Sequence, residues 1–537
     1  MTWRSAGRAT PVLYREEIKL QDNIAVRFEE VSMQFPEVLA NDHVSLDIKA
    51  GEVFALVGEN GAGKSTLMNI LYGIHQPTDG NVYIKGEKID KFRPVEAIKR
   101  GVGMVHQHFM LVPSFTVAQN IVLSREPRRM GFLYDLKKAE KEVKDLSEKY
   151  GLAVDPEAVV GELSVGLQQR TEILKTLYRG ADILILDEPT AVLTPQETEE
   201  LFAVIRKIVR EKNMTVIIIT HKLYEVMEIS DRVGVMRNGR LSGVEETKNV
   251  TERSLASMMV GREVIFDNIE KTGTPGKNVI EVKDIYVTDN RGLMAVKGVS
   301  LNVRAGEILG IAAVEGNGQS ELAEAVTGMR QAERGELFIN GRDASGMDPR
   351  GIRKLGLAHV PEDRISTGAA LRSTVAENMI TGRQRDRRLS KWGISLRRSS
   401  IERYVNDLKE KFDVRGGGTD VAAGDLSGGN MQKMIVAREF SLDTPAMVIS
   451  QPTRGVDVGA IEFIHRQIID KRNSGYAILL ISADLDEVFR LSDRIVTMYE
   501  GRITGHFEAG KISKTDIGYY MTGDRTEDSV PGGESVE

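Results

Sequence analysis

The chain has 537 residues, 41% apolar and 28% charged, which is enough for two or more domains with sizeable cores. It has no Cys, which excludes a disulfide framework and a Cys-ligated metal site and suits a reducing compartment, and its net charge of −6 gives no basic footprint for nucleic acid. The longest apolar runs, such as 216–219 and 477–481, are too short to cross a bilayer, so work at a membrane would require other subunits to supply the spanning part.

Residues 1–23 are polar and lack the apolar stretch of a signal peptide. A first α/β domain is expected over 24–260. After β-type segments such as 25–28, the apolar run 53–57 leads into Gly58-Glu59-Asn60-Gly61-Ala62-Gly63-Lys64-Ser65-Thr66, and a helical pattern follows from Leu67. A P-loop requires this strand–loop–helix context: glycines turn backbone N–H groups toward phosphates, and the helix start favours an anion. Lys64 is expected to bridge the β- and γ-phosphates of ATP and Ser65 to hold Mg²⁺. Gln107 follows a short strand-like segment and could reach the metal or water. Asp187 closes the apolar run 183–186 as a metal-side carboxylate, and Glu188 beside it could polarise a water. His221 ends the run 216–220, where a His is more often structural, and Phe35, expected to precede the first strand pair, by itself reads as core packing.

A linker is expected over 261–277, which contains Thr272-Gly273-Thr274-Pro275-Gly276. A second domain, 278–523, repeats the first: Glu307 lies 255 residues after Glu52, and Ser427 lies 263 after Ser164. About eight extra residues are therefore expected in the second copy, placed in the basic stretch 383–400 as a surface excursion. The run Arg383, Arg385, Arg387, Arg388 and Lys391 reads as a solvated loop, with contact to lipid head groups or a partner as the alternative. The tail 524–537 is acidic, polar and Gly-rich, a disordered composition.

The two copies have decayed in opposite places. The second has Ala313-Val314-Glu315-Gly316-Asn317-Gly318-Gln319-Ser320 at the loop and Ser450-Gln451 at the strand end, so it lacks the lysine and both carboxylates. It keeps the better helix start, Leu426-Ser427-Gly428-Gly429-Asn430, where the first has Leu163-Ser164-Val165-Gly166-Leu167. The pattern fits one working ATP site assembled from parts of both halves.

Taken together, Phe35, the loop 58–66, Gln107, 163–168, Asp187-Glu188 and His221 resemble the ATP-binding cassette (ABC) family, and the resemblance covers nearly the whole chain twice. It implies an α/β fold of two tandem P-loop ABC-type nucleotide-binding domains, each with a helical subdomain, packed head to tail. It also implies an ATP hydrolase with ATP and Mg²⁺ as cofactors, in which Phe35 stacks on adenine and Glu188 is the general base. His221 would contact the γ-phosphate, Ser65, Gln107 and Asp187 would serve the metal, and Gln107 would link nucleotide state to a transmembrane partner. Ser427, Gly428, Gly429 and Asp457 would complete the first P-loop's site from the second domain. The second P-loop would face Ser164-Val165-Gly166, with Asn290, Glu362 and Ala483 in place of Phe35, Gln107 and His221, and Thr194 in place of Asp457. Weak nucleotide binding there and a pure scaffold role both stay open.

Fused pairs of this kind resemble the ATPases of bacterial sugar and nucleoside importers. The stretches 104–113 and 451–460 look most like the nucleoside-uptake branch, with the ribose and galactose branch as runner-up. The resemblance implies two transmembrane permease subunits, an extracellular solute-binding protein, no nucleic acid, and a peripheral place on the cytoplasmic face of the membrane. Residues 109–115 are expected either to form the groove for a permease helix or to pack inside the helical subdomain. Soluble paired cassettes that act on ribosomes are the other class. They usually keep both ATP sites and a long charged helical linker, whereas this linker is short and one site is broken. Paired repair proteins need Cys for their zinc modules.

Overall fold

A computed structural model describes residues 23–526 apart from 37, 60, 107–108, 131–132, 191–192, 262–269, 455 and 457. Asn60, Gln107 and Asp457, the stretch 1–22 and most of the tail therefore lie outside the described residues. The chain divides into two compact units, one ending at Val264 and the other beginning at Ile265, with Thr194–Gln196 counted to the second. Each is taken by itself.

Both units have the same three parts. In the first, an antiparallel sheet runs in the order Leu39–Lys49, Ile24–Gln34, Asp79–Ile84, Glu87–Lys88. A six-stranded sheet runs Arg240–Glu246, Arg232–Arg237, Val53–Gly58, Thr215–Ile219, Ile183–Asp187, Val102–Val105, and is parallel except for its first hairpin. The second unit repeats this with Glu307–Ala312 between Ala477–Ser482 and Arg494–Tyr499. The central strands are buried on both faces, which is why they read as unbroken apolar runs. Within Ile183–Asp187, Ile183 and Ile185 join the core under the antiparallel sheet, while Leu184 and Leu186 join the core under the helices. Parallel strands present their carboxyl ends on one edge, so the loops after 58, 187 and 219 meet there.

The helical parts comprise Val117–Val122, Leu136–Tyr150 and Val165–Tyr178 in the first unit and Val375–Met379, Arg398–Lys411 and Gly428–Phe440 in the second. Asp135 and Ser164 accept from the N–H groups of Lys138 and Leu167, three residues into their helices, and Gly151 (φ 71°) closes the longer one. No helix among the described residues is long and apolar enough to cross a membrane.

Two sequence expectations change. Phe35 does not precede the first strand pair; it sits in the turn between its strands, its N–H donating to Val38 O at 2.8 Å. The extra residues of the second copy are not one excursion at 383–400. The capping boxes of Thr116 and Thr374 are 374 − 116 = 258 apart, and the hairpins starting at Arg128 and Ser390 are 390 − 128 = 262 apart. Three extra residues thus precede Thr374, beside a π-helical turn at Arg364–Gly368, and four fall between Thr374 and Ser390. The basic stretch carries a hairpin that both copies share. Residues added at such a turn and connection leave the packed helices in register.

Candidate nucleotide site

In the first unit the loop after Val53–Gly58 doubles back tightly, with Ala62 N–H on Glu59 O at 3.1 Å, and Gly63 (φ 96°) begins the helix Lys64–Leu71. Gly63 is required twice over. A Cβ there would lie 2.3 Å from Ala40 O and 2.6 Å from the Asn41 amide nitrogen, which itself holds Gly63 O at 3.1 Å. Lys64 is 7% exposed, and its ammonium donates to Gly58 O at 2.7 Å and Glu59 O at 2.9 Å. Burial lowers its pKa, opposed by the nearby Glu188 and Asp187 carboxylates, so the site holds a cation that an anionic ligand would stabilise.

Asp187 is pushed up to about 6 by burial and by Glu188, while Lys64 and a hydrogen bond with Ser65 pull it down. Two half-buried carboxylates beside a serine hydroxyl are a hard oxygen set. It suits Mg²⁺, which takes few protein ligands and shares its shell with phosphate and water. Glu188 takes a left-handed backbone (φ 48°), its N–H on Ile219 O at 2.9 Å. One carboxylate oxygen lies 3.0 Å from His221 Nδ1, and that bond is the main cause of its lowered pKa. The structure thus brings Lys64, Ser65, Asp187, Glu188 and His221 to one edge. Phe35 lies edge-on to His75 at 5.5 Å between ring centroids.

Sequence reasoning missed the residues that hold this edge together. Glu225, fully buried, accepts from Thr190 after the catalytic strand and from Thr220 before His221, and Lys222 reaches Thr190 O at 3.0 Å. The repeat is the signal that could have found it, because Thr453 donates to Glu487 at 2.8 Å in the second unit.

The second unit keeps the loop's backbone but not its chemistry. Gly316 and Gly318 have φ of 90° and 96°, against 80° and 96° for Gly61 and Gly63. Gln319 replaces the lysine, its amide nitrogen on Val314 O at 3.1 Å and its oxygen without a hydrogen-bond partner among the described residues. Ser320 donates to Glu362 at 2.8 Å, and Arg454 bridges Glu362 and Glu315 at 2.8 Å each. Two carboxylates and their counter-ion therefore surround the loop where a polyphosphate would need cations. Gln451 repeats the Glu188 backbone (φ 47°, N–H on Ile481 O at 2.7 Å), but its side chain accepts from Ala483 N–H at 3.2 Å. Asn290 accepts from Arg330 at 2.8 Å where the first unit has Phe35 and His75. What this unit keeps is an open helix start: Ser427 caps Gly428–Phe440, and Gly428 and Gly429 add no side chain over it. In the first unit a Cβ on Gly166 would meet the Glu197 carboxylate at 2.3 Å.

The sequence model of the ABC transporter family matches residues 41–191 and again 296–454. The chain belongs to the ABC transporter family. It carries two ABC cassettes, the family's ATP-hydrolysing unit, one with intact and one with altered P-loop chemistry. Among similar ABC proteins, the nucleoside import ATP-binding protein NupA of Lactococcus lactis subsp. cremoris is 46% identical over 94% of this chain and 99% of its own length. The guanosine import ATP-binding protein NupO of Bacillus subtilis is 46% identical over 91% of this chain and 95% of its own. The glucose import ATP-binding protein TsgD13 of Haloferax volcanii is 44% identical over 93% and 96%.

Proposed function

We propose that this chain powers a nucleoside importer by hydrolysing ATP at one competent site, formed by the first unit's P-loop and the second unit's helix start at Ser427. The observation that carries this is the asymmetry of the loops. Lys64, Asp187, Glu188 and His221 converge in one unit, whereas Glu315, Glu362 and Arg454 fill the other. In the working site Lys64 would turn from its loop carbonyls to the phosphates, and Ser65 and Asp187 would hold Mg²⁺, whose chemistry there would be to offset phosphate charge. Glu188 polarises the water aimed at the γ-phosphorus. His221 Nδ1, 3.0 Å from Glu188, orients the carboxylate and leaves Nε2 for the γ-phosphate.

One ATP should bind per chain. Equilibrium binding with Mg²⁺ is expected to give a single site that Lys64→Ala removes, with little change on Gln319→Ala. Two sites of similar affinity would refute the assignment.

Nucleoside as solute follows the two import proteins named for nucleoside and guanosine; the glucose import protein supports a sugar reading. Co-purification with the permease subunits, then ATPase assay with the solute-binding protein and a panel of nucleosides and sugars, separates them. Stimulation by sugars alone would replace the nucleoside reading. The chain would act peripherally, on the cytoplasmic face, against two permease subunits.

For that contact the segment 109–115 divides. Leu111 packs against the helical core, whereas Met110 is 65% and Phe115 37% exposed. Met110 also lines a groove with Tyr72, Ile98, Met104, His106 and Lys175, a shape for a permease helix. Met110→Asp is expected to abolish solute-stimulated turnover and leave basal ATPase within about twofold, since exposed substitutions away from special features change stability by only about 0.5 kcal/mol. Leu111→Asp, which buries a charge, should lower the melting temperature and both activities. Equal loss of basal and stimulated turnover with Met110→Asp would move the contact elsewhere.

A further inference from the structure

The hairpin Ser390–Lys391 and Ser395–Leu396 ends in a three-residue turn closed by Ile394 N–H on Lys391 O at 3.2 Å. Its tip is the most exposed apolar surface among the described residues: Trp392 is 85% and Ile394 89% exposed. It is also firmly mounted. Leu389, 3% exposed, roots it in the second unit's helical core, and Arg397 N–H donates to Leu389 O at 2.9 Å. An exposed Trp on a hydrogen-bonded turn costs apolar hydration without a compensating contact among the described residues.

Charge says what would cover it. Residues 383–398 hold seven Lys and Arg against one Asp, a net +6 in a chain whose net charge is −6. Asp386 is taken by Arg388, and Arg383 turns inward to Tyr404. Arg385, Arg387, Lys391, Arg397 and Arg398 are exposed and have no carboxylate partner among the described residues. The first unit has a hairpin of the same kind, Arg128–Arg129 with Leu133–Tyr134, where Met130 is 81% and Leu133 52% exposed, although Lys138 there pairs with Glu142.

We propose that the 392–394 tip docks on an anionic phospholipid surface, with Trp392 and Ile394 entering the interface and the unpaired cations meeting the head-group phosphates. Trp favours the membrane–water interface, where its ring is apolar and its N–H stays wet. Apolar insertion plus a cationic ring gives the two signals that peripheral binding requires. An exposed apolar tip flanked in the chain by cations without carboxylate partners among the described residues complements a laterally mobile anionic surface. The proposal deepens the membrane-side role given above, but vesicle binding is read without permease or ATP, so either can fail alone.

The chain has two Trp, so Trp3→Phe leaves Trp392 as the only indole. Its emission should shift to the blue and rise on adding vesicles containing phosphatidylglycerol, less so with pure phosphatidylcholine, and the effect should fade in high salt. Trp392→Ala with Ile394→Ala, and separately Arg387→Glu with Lys391→Glu, should weaken co-sedimentation with the anionic vesicles by about tenfold or more. Basal ATPase of both variants in solution should match the parent, which also reports folding. No spectral shift with anionic vesicles, or equal binding to pure phosphatidylcholine, would overturn the proposal. So would variants that bind vesicles normally but fail to assemble with the permease in detergent, which would make the tip a protein contact.

Discussion

Glu188→Gln is expected to lower ATP turnover by about 10²–10⁴-fold, the usual cost of losing a positioned base, while ATP still binds. The amide keeps the size and the left-handed backbone of the residue, whose N–H on Ile219 O does not depend on the side chain. It cannot take a proton, and it weakens the tie to His221 Nδ1, because that bond is to the ionised carboxylate and is the main cause of its lowered pKa. The second unit already contains this substitution: Gln451 has the same backbone and is tied to Ala483 N–H. Lys64→Ala should reach a similar turnover by another route, through lost binding. Single-turnover hydrolysis and nucleotide binding, measured together, separate the two. If Glu188→Gln kept more than about a third of the turnover, Glu188 would not be the base, given the size of effect a base carries.

The second large effect tests the composite site. Ser427→Arg is expected to stop hydrolysis as fully as Lys64→Ala, although Ser427 belongs to the other unit. Ser427 is exposed at the start of Gly428–Phe440, where open N–H groups and the helix potential suit a phosphate. An Arg there would fill that space. It also removes a helix cap, worth about 1 kcal/mol, so Ser427→Ala, which loses the cap without adding bulk, is the control. Ser164→Arg and Gln319→Ala should be mild, because the loop they would serve is already filled by Glu315, Glu362 and Arg454. Normal hydrolysis by a well-folded Ser427→Arg protein would mean that each cassette works alone.

Letters alone were enough for the two-copy plan, the P-loop and its partner carboxylates, the helix starts at Ser164 and Ser427, and the family. These features are local: a loop's glycines, a strand's apolar run and a cap residue each act within a few positions of one another, so spacing records them. Other features came from the tertiary structure. Arg454 meets Glu315, 139 positions earlier (454 − 315), because strand order brings the loop after Ala446–Ser450 beside the loop after Glu307–Ala312. Glu225 ties Thr190 to Thr220 for the same reason in the first unit. Leu111 and Met110 look alike as letters, yet one packs against the core and the other is exposed. Strands buried on both faces hide their own alternation, and apolar identity alone does not say which side of a loop meets the core. Those choices are made by packing, where distant segments compete for the same space, and only the folded chain records the result.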